Sequence, residues 1–282
     1  MTNFSAKSSG GYTLIEILMA VTLSLILMLA VVQIFAMVGD YVTNSQAVME
    51  LDQNIRNAQM TLQLDLARAT AKMTPPLDPA AAMGYFIYNE SDEKCPVTDL
   101  TLTNVIDSNL AGDSDSLQFT IHDMNSPLLS YSNDSAAGAK QSFDAEVRWF
   151  MNGNNLYRNV RLLTGEEDSN LFSAAKNPTQ IPQNEETPIL QNVIKFDVQI
   201  WDSEHGEFID GKDETRLSKP GYDTGNRFEE STLSDSSQVV GYYTPKARSV
   251  APLKGVRIKV RVVEPTTGMV RDFTVEQDYT GN

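Results

Sequence analysis

Two groups near the start of this chain stand at a spacing that could do chemistry. Gly10-Gly11-Tyr12 presents a bare backbone beside the Gly11–Tyr12 peptide bond, and Glu16 follows five residues after Gly11, just as an apolar run begins. Cutting after Gly11 would leave a new amino group on Tyr12. That cation would lie close to Glu16 of the same chain or of a neighbouring one. A carboxylate at the edge of a membrane span points to function, because an unpaired one in hydrocarbon costs several kcal/mol. The bland alternative is that Glu16 merely reaches the headgroup region and needs no partner.

Other reactive residue types are sparse. The two histidines, His122 and His205, are far apart, and neither has a second histidine at metal-ligand spacing. No nucleophile elbow, phosphate loop or dinucleotide fingerprint occurs. Ser203-Glu204-His205-Gly206 reads as a solvated turn. Cys95 is the only cysteine, which excludes an intramolecular disulfide and a cysteine-based metal site, and it reads as a buried or idle thiol. The densest acids are Asp202, Glu204, Glu207, Asp210, Asp213 and Glu214. Their spacing does not match a calcium loop with glycine at its sixth position, so they read as a solvated acidic loop and no metal site is assigned. No cofactor and no catalysis are expected.

The element that must position Glu16 is the run itself. From Ile17 to Gly39 there is no charge and no proline, enough to cross roughly 30 Å of hydrocarbon as a helix. A secretory signal has a basic start, a short apolar stretch and then a cleavage site; here the candidate site precedes the apolar stretch, so cutting would keep that stretch on the mature chain. Lys7 stands before the run while Asp40, Glu50 and Asp52 follow it, which places the amino terminus in the cytoplasm and the remainder outside. Beyond it, Val48, Leu51, Ile55, Ala58, Leu62, Leu66 and Ala69 recur at spacings of three and four, with Asp52, Arg56, Asp65, Arg68 and Lys72 between them as the polar side. Pro75, Pro76 and Pro79 then break the pattern. A continuous helix over Tyr12–Met73 would be roughly 90 Å long at 1.5 Å per residue. Its first half is apolar all round, and its second half has one apolar face.

With about 70 residues spent on leader and stalk, about 205 of the 282 remain for a head, enough for one core or two small lobes. The formal charge is -15, and removal of Lys7 with the leader makes it -16 (-15 - 1). So acidic a surface argues against nucleic-acid binding, which needs phosphate-neutralising cations. The head reads as β-rich. Val147, Trp149 and Met151 alternate with Arg148 and Phe150, and Asn152-Gly153 then leads into 155–160, a strong hairpin signal. Ile194, Phe196, Val198 and Ile200 alternate with Lys195, Asp197 and Gln199 as a half-buried strand. Val256, Ile258, Val260 and Val262 form another, turned at 265–268 into a last strand over 269–277. Residues 116–121 form a further strand. Residues 132–142 and 164–187 read as polar linkers, and 203–253 as a loop-rich insertion. No internal repeat is visible.

Gly11-Tyr12-Thr13-Leu14-Ile15-Glu16 followed by the apolar run resembles the class III leader and amino-terminal helix of type IV pilins and type II secretion pseudopilins. The motif is specific, because the glycine, the acid five residues on and the apolar run must coincide. Tyr12 stands where the family usually has phenylalanine, and the leader has one lysine where several basic residues are common. Further along, 51–56, 62–69, Asp113-Ser114-Asp115-Ser116-Leu117, Asn155-Leu156-Tyr157-Arg158 and the late strands from Val193 and Lys254 are similar to the J-type minor pseudopilin and its W-type minor pilin relative.

The resemblance implies an α+β, pilin-like fold: residues 1–11 as leader, 12–39 as the transmembrane half of the helix, 40–74 as its amphipathic half, and 75–282 as an antiparallel β-rich head. It implies a non-catalytic subunit at or near the tip of a pilus or pseudopilus that primes assembly. Gly11 and Tyr12 would be the prepilin peptidase site, Tyr12 the N-methylation site, and Glu16 the group that aligns neighbours. The partners implied are that peptidase, other major and minor pilins or pseudopilins, and the lipid and assembly platform of the bacterial inner membrane. The alternative is a membrane-tethered extracytoplasmic binding protein or adhesin that never enters a filament.

Overall fold

The computed structural model describes residues 12–70, 84–91, 94–95, 110–123, 128–130, 140–164, 188–202, 206–210, 222–223 and 254–279. Two compact units divide the chain, Met1–Glu50 and Leu51–Asn282. The first is helical from Leu14 on. Helix α1, Leu14–Ala67, begins in it, and every described residue from Tyr12 to Asn44 is exposed. By length and composition this stretch suffices to cross a membrane.

The second unit opens with the rest of α1. Leu51, Ile55, Ala58, Leu62 and Leu66 are buried there, five of the seven stripe positions, and Ala69 packs partly buried against the same core. Asp65 departs from the sequence reading: placed on the polar side, it is 1% exposed. The helix also stops at Ala67, short of Met73. Tertiary pairing overrides its propensity, since Arg68 O accepts from His122 N–H and Thr70 N–H donates to Thr120 O, each at 3.0 Å, and Ala69 bridges Ile121. Pro75, Pro76 and Pro79, the breakers named from sequence, lie outside the described residues, as does Lys72.

Among the described residues the strands are β1 (Phe86–Asn89), β2 (Ser116–His122), β3 (Leu128–Ser130), β4 (Lys140–Ser142), β5 (Asp144–Asn152), β6 (Asn155–Leu163), β7 (Val193–Asp202), β8 (Glu207–Asp210), β9 (Tyr222–Asp223), β10 (Gly255–Val263) and β11 (Val270–Asp278). They form a five-stranded sheet ordered β6-β5-β2-β1-β9, a four-stranded sheet ordered β11-β10-β7-β8, and the pair β3-β4. Every strand pairing is antiparallel. The class is therefore α+β, one long apolar helix with a two-sheet antiparallel head.

The core joins both sheets to the buried helical stripe. Trp149, Phe86, Phe119 and Phe196 are fully buried with Leu62 and Leu66. Gly84 is required by close approach: a Cβ there would lie 1.6 Å from the Thr120 hydroxyl. The β5–β6 turn is Gly153-Asn154, because Asn152 pairs with Asn155. Gly153 supplies a φ of +59° at the first central position, which type II′ hairpins reserve for glycine.

Three more sequence readings change. Asp197, placed on the solvent side of β7, is 1% exposed. The end of the 132–142 linker is strand β4. The 203–253 insertion lends one strand to each sheet, β8 beside β7 and β9 beside β1. Apart from Gly206, the remainder of those segments, and residues 165–187, lie outside the described residues.

Candidate functional site

The amino-terminal end of α1 is built as a capping box. Thr13 precedes the helix, and Glu16 Oε2 accepts the Thr13 backbone N–H at 2.9 Å and its hydroxyl at 3.0 Å. In return the Glu16 N–H donates to Thr13 Oγ1 at 3.4 Å. Two groups left over at a helix start thus satisfy each other. The acid is favoured there by the helix dipole as well. Sequence reasoning paired Glu16 with an amine and overlooked Thr13, although Thr-x-x-Glu before an apolar run is the signature of this box. Glu16 and Tyr12 are both exposed; Gly11 lies outside the described residues.

Below the cap, two threonine hydroxyls are bonded within the helix itself. Thr22 Oγ1 donates to Met19 O at 2.9 Å, and Thr43 Oγ1 to Gly39 O at 3.0 Å. A hydroxyl bonded inside its own helix removes the penalty of an unsatisfied polar group in hydrocarbon. Leu18, Leu23, Ile26, Leu29 and Phe35 are among the side chains exposed around it.

The second unit contains its own polar centres. Asp65 Oδ2 accepts Trp149 Nε1 at 2.9 Å and Arg158 Nε at 2.7 Å, while Oδ1 accepts Arg158 Nη2 at 2.8 Å. Trp149 and Arg158 are register partners across β5 and β6, so one cross-strand pair grips one helical carboxylate. Nothing local in the sequence signals this, since the partners are 84 and 93 residues away.

Where the two sheets meet, Asp115 Oδ1 accepts Ser91 N–H at 3.0 Å and Oδ2 accepts Val198 N–H at 2.8 Å, riveting three segments together. Burial pushes the Asp115 carboxyl up to about 7 against the pull of those two donors, and the nearby charges of Asp197 and Asp113 add to the rise. Lys195 Nζ offsets Asp197 at 2.9 Å. Cys95 is buried in the same region, its Sγ directed at Asp113 O at 3.4 Å, and burial pushes its thiol up to about 12.

Carboxylate oxygens of Glu90, Asp113 and Asp210 lie within 4.8 Å of one another. A hard cation would find three oxygen ligands there, against the roughly six to eight that calcium takes. Of the acid cluster read from the sequence, Asp210 alone joins this group, while Asp202 and Glu207 face each other across β7 and β8. Glu204, Asp213 and Glu214 lie outside the described residues, as does His205.

His122 Nδ1 meets Asp144 Oδ1 at 2.7 Å, an imidazole oriented by a carboxylate. Ser142, the hydroxyl nearest in sequence, instead donates to Leu163 O and accepts the Asp144 N–H. The pair ties the end of β2 to the start of β5, where the two residues are register partners.

Compared with known proteins, the chain matches no family model and has no significant match among curated sequences.

Proposed function

We propose that this chain is a minor pilin or pseudopilin: a bacterial inner-membrane precursor, cut by a prepilin peptidase and placed at or near the tip of a short filament whose assembly it primes. The observation that carries the reading is the order Gly11-Tyr12, then Glu16, then an uncharged run. An exposed apolar helix start with a carboxylate in its first turn supports it. In this reading Gly11–Tyr12 is the scissile bond and Tyr12 becomes N-methylated. The amino terminus faces the cytoplasm and the head is extracytoplasmic. Glu16 aligns the subunit with its neighbour, exchanging its Thr13 contacts for a neighbour's Tyr12 amine. The head contributes surfaces, with no turnover.

Amino-terminal sequencing from cells with an active prepilin peptidase tests it. The mature chain begins at Tyr12, and a bulky residue at Gly11 blocks the cut because the peptidase must admit bare backbone beside the scissile bond. An intact Met1 in those cells would overturn the proposal. Glu16→Ala leaves insertion, cleavage and head folding unchanged while impairing incorporation, measured by crosslinking to co-encoded pilin-like proteins. A mutant that assembles like the parent would reduce Glu16 to its capping role.

A further inference from the structure

We propose that the outer face of the five-stranded sheet is a protein-binding surface centred on Arg148, and that it takes a peptide carboxylate, an Asp or Glu side chain, from a partner chain. Along β5, Val147 and Trp149 point into the core, so Arg148 and Phe150 share the opposite face. Arg68, Arg158, Arg161, Arg257, Arg261 and Arg271 each meet a carboxylate at 3.5 Å or less. Arg56 is exposed to solvent. Arg148 is half-buried, yet among the described residues it has neither a carboxylate nor a hydrogen-bond acceptor. Asp and Glu outnumber Lys and Arg by 37 to 22, so the partner is not missing for want of acids.

The surroundings of Arg148 leave it unanswered within the chain. Its register partners, Gln118 and Asn159, are neutral amides. Glu146, two residues back on the same face, is already engaged by the Tyr85 hydroxyl and by Arg161. The guanidinium instead rests over the Phe150 ring, 5.0 Å from its centroid, and Tyr157 stacks on that ring at 5.6 Å. The Tyr157 hydroxyl likewise makes no hydrogen bond among the described residues. Burial holds the Arg148 guanidinium below the ordinary arginine range, whereas its hydrogen bond to Asp272 raises Arg261. A cation desolvated without an anion costs the fold free energy, and an incoming carboxylate would offset that cost. A flat fork steadied by an aromatic ring matches a carboxylate through two parallel N–H bonds. Arginine and tyrosine are also the side chains that most often anchor protein interfaces. A phosphate group, with a charge of about -1.5 to -2, would be only partly neutralised by one guanidinium.

A random peptide library displayed on phage, panned on the full chain in detergent micelles and counter-selected on Arg148→Gln, tests this. Peptides kept by the parent alone carry an Asp or Glu, and changing that acid to its amide weakens them by about tenfold or more. Arg148→Lys keeps the charge but not the fork and weakens the same peptides by about tenfold, and Tyr157→Phe by about threefold. An empty selection, retained peptides that lack an acid, or binding untouched by Arg148→Gln overturns the proposal. Inorganic phosphate that displaces the peptides better than glutarate does overturns the carboxylate assignment. Melting temperature gives a second reading. Arg148→Met leaves that of the head unchanged or raises it, because no partner is abandoned, whereas Arg158→Met lowers it by stranding Asp65. A loss from Arg148→Met as large as that from Arg158→Met would make Arg148 a structural residue and overturn the proposal.

Discussion

One helix is treated as two different objects by its two units. From Leu14 to Asn44 every side chain is exposed and most are apolar, so each leucine adds to a surface that suits lipid. From Leu51 to Leu66 five apolar residues form a stripe buried against strands, while Met60 and Leu64 stay exposed. Backbone geometry is the same in both. One polar residue shows what differs: Thr22, Thr43 and Thr61 all turn back onto their own helix, whereas Asp65 relies on an arginine and a tryptophan from the head. A self-contained helix can lie in hydrocarbon; a helix with a buried carboxylate needs the fold that answers it.

The largest test of this contrast removes each half in turn. A chain beginning at Asp40 keeps the docked stripe and stays folded and soluble. One beginning after Pro79 also loses Leu51, Ile55, Leu62 and Leu66, each worth roughly 1.5–3 kcal/mol of burial, enough together to rival a domain stability of about 5–15 kcal/mol. Thermal melts of the two should therefore differ widely, and equal melting temperatures would show that the head does not depend on the stripe.

The same chemical change at one site in each half sharpens the comparison. Leu62→Ala, at a residue 1% exposed, should destabilise the head by about 2–5 kcal/mol in denaturant titration. Leu23→Ala, at a residue 63% exposed, should leave head stability within about 0.5 kcal/mol and alter only partition into bilayers.

A smaller effect belongs to pH. The folded protein holds the Asp115 proton up to about 7, against 3.8 for the free side chain. Between those values the folded state binds more protons than the unfolded chain, so this group's contribution to stability declines as pH rises from 4 to about 7. Asp115→Asn removes that slope while keeping one acceptor for the Ser91 and Val198 donors. Melts of parent and variant across that range measure it, and identical slopes would place the titration elsewhere.

Much of the fold was legible because it is periodic. The apolar run, the five buried stripe residues, the hairpin between β5 and β6 and the late strands β7, β10 and β11 each carry their own local pattern over seven residues or more. Short strands do not: β1, β3, β4, β8 and β9 have two to four residues each, too few for an alternation to stand out. At the site, the sequence by itself determined Glu16, its distance from Gly11 and the uncharged run that follows. The tertiary structure alone decided that Asp65, Asp115 and Asp197 are interior, and that Glu90, Asp113 and Asp210 converge. The physical reason is the range of the interactions. An apolar stripe announces itself within two turns of helix, whereas the cost of burying a carboxylate is met by donors that only strand pairing brings within reach, 93 residues along the chain from Asp65 to Arg158 and 83 from Asp115 to Val198.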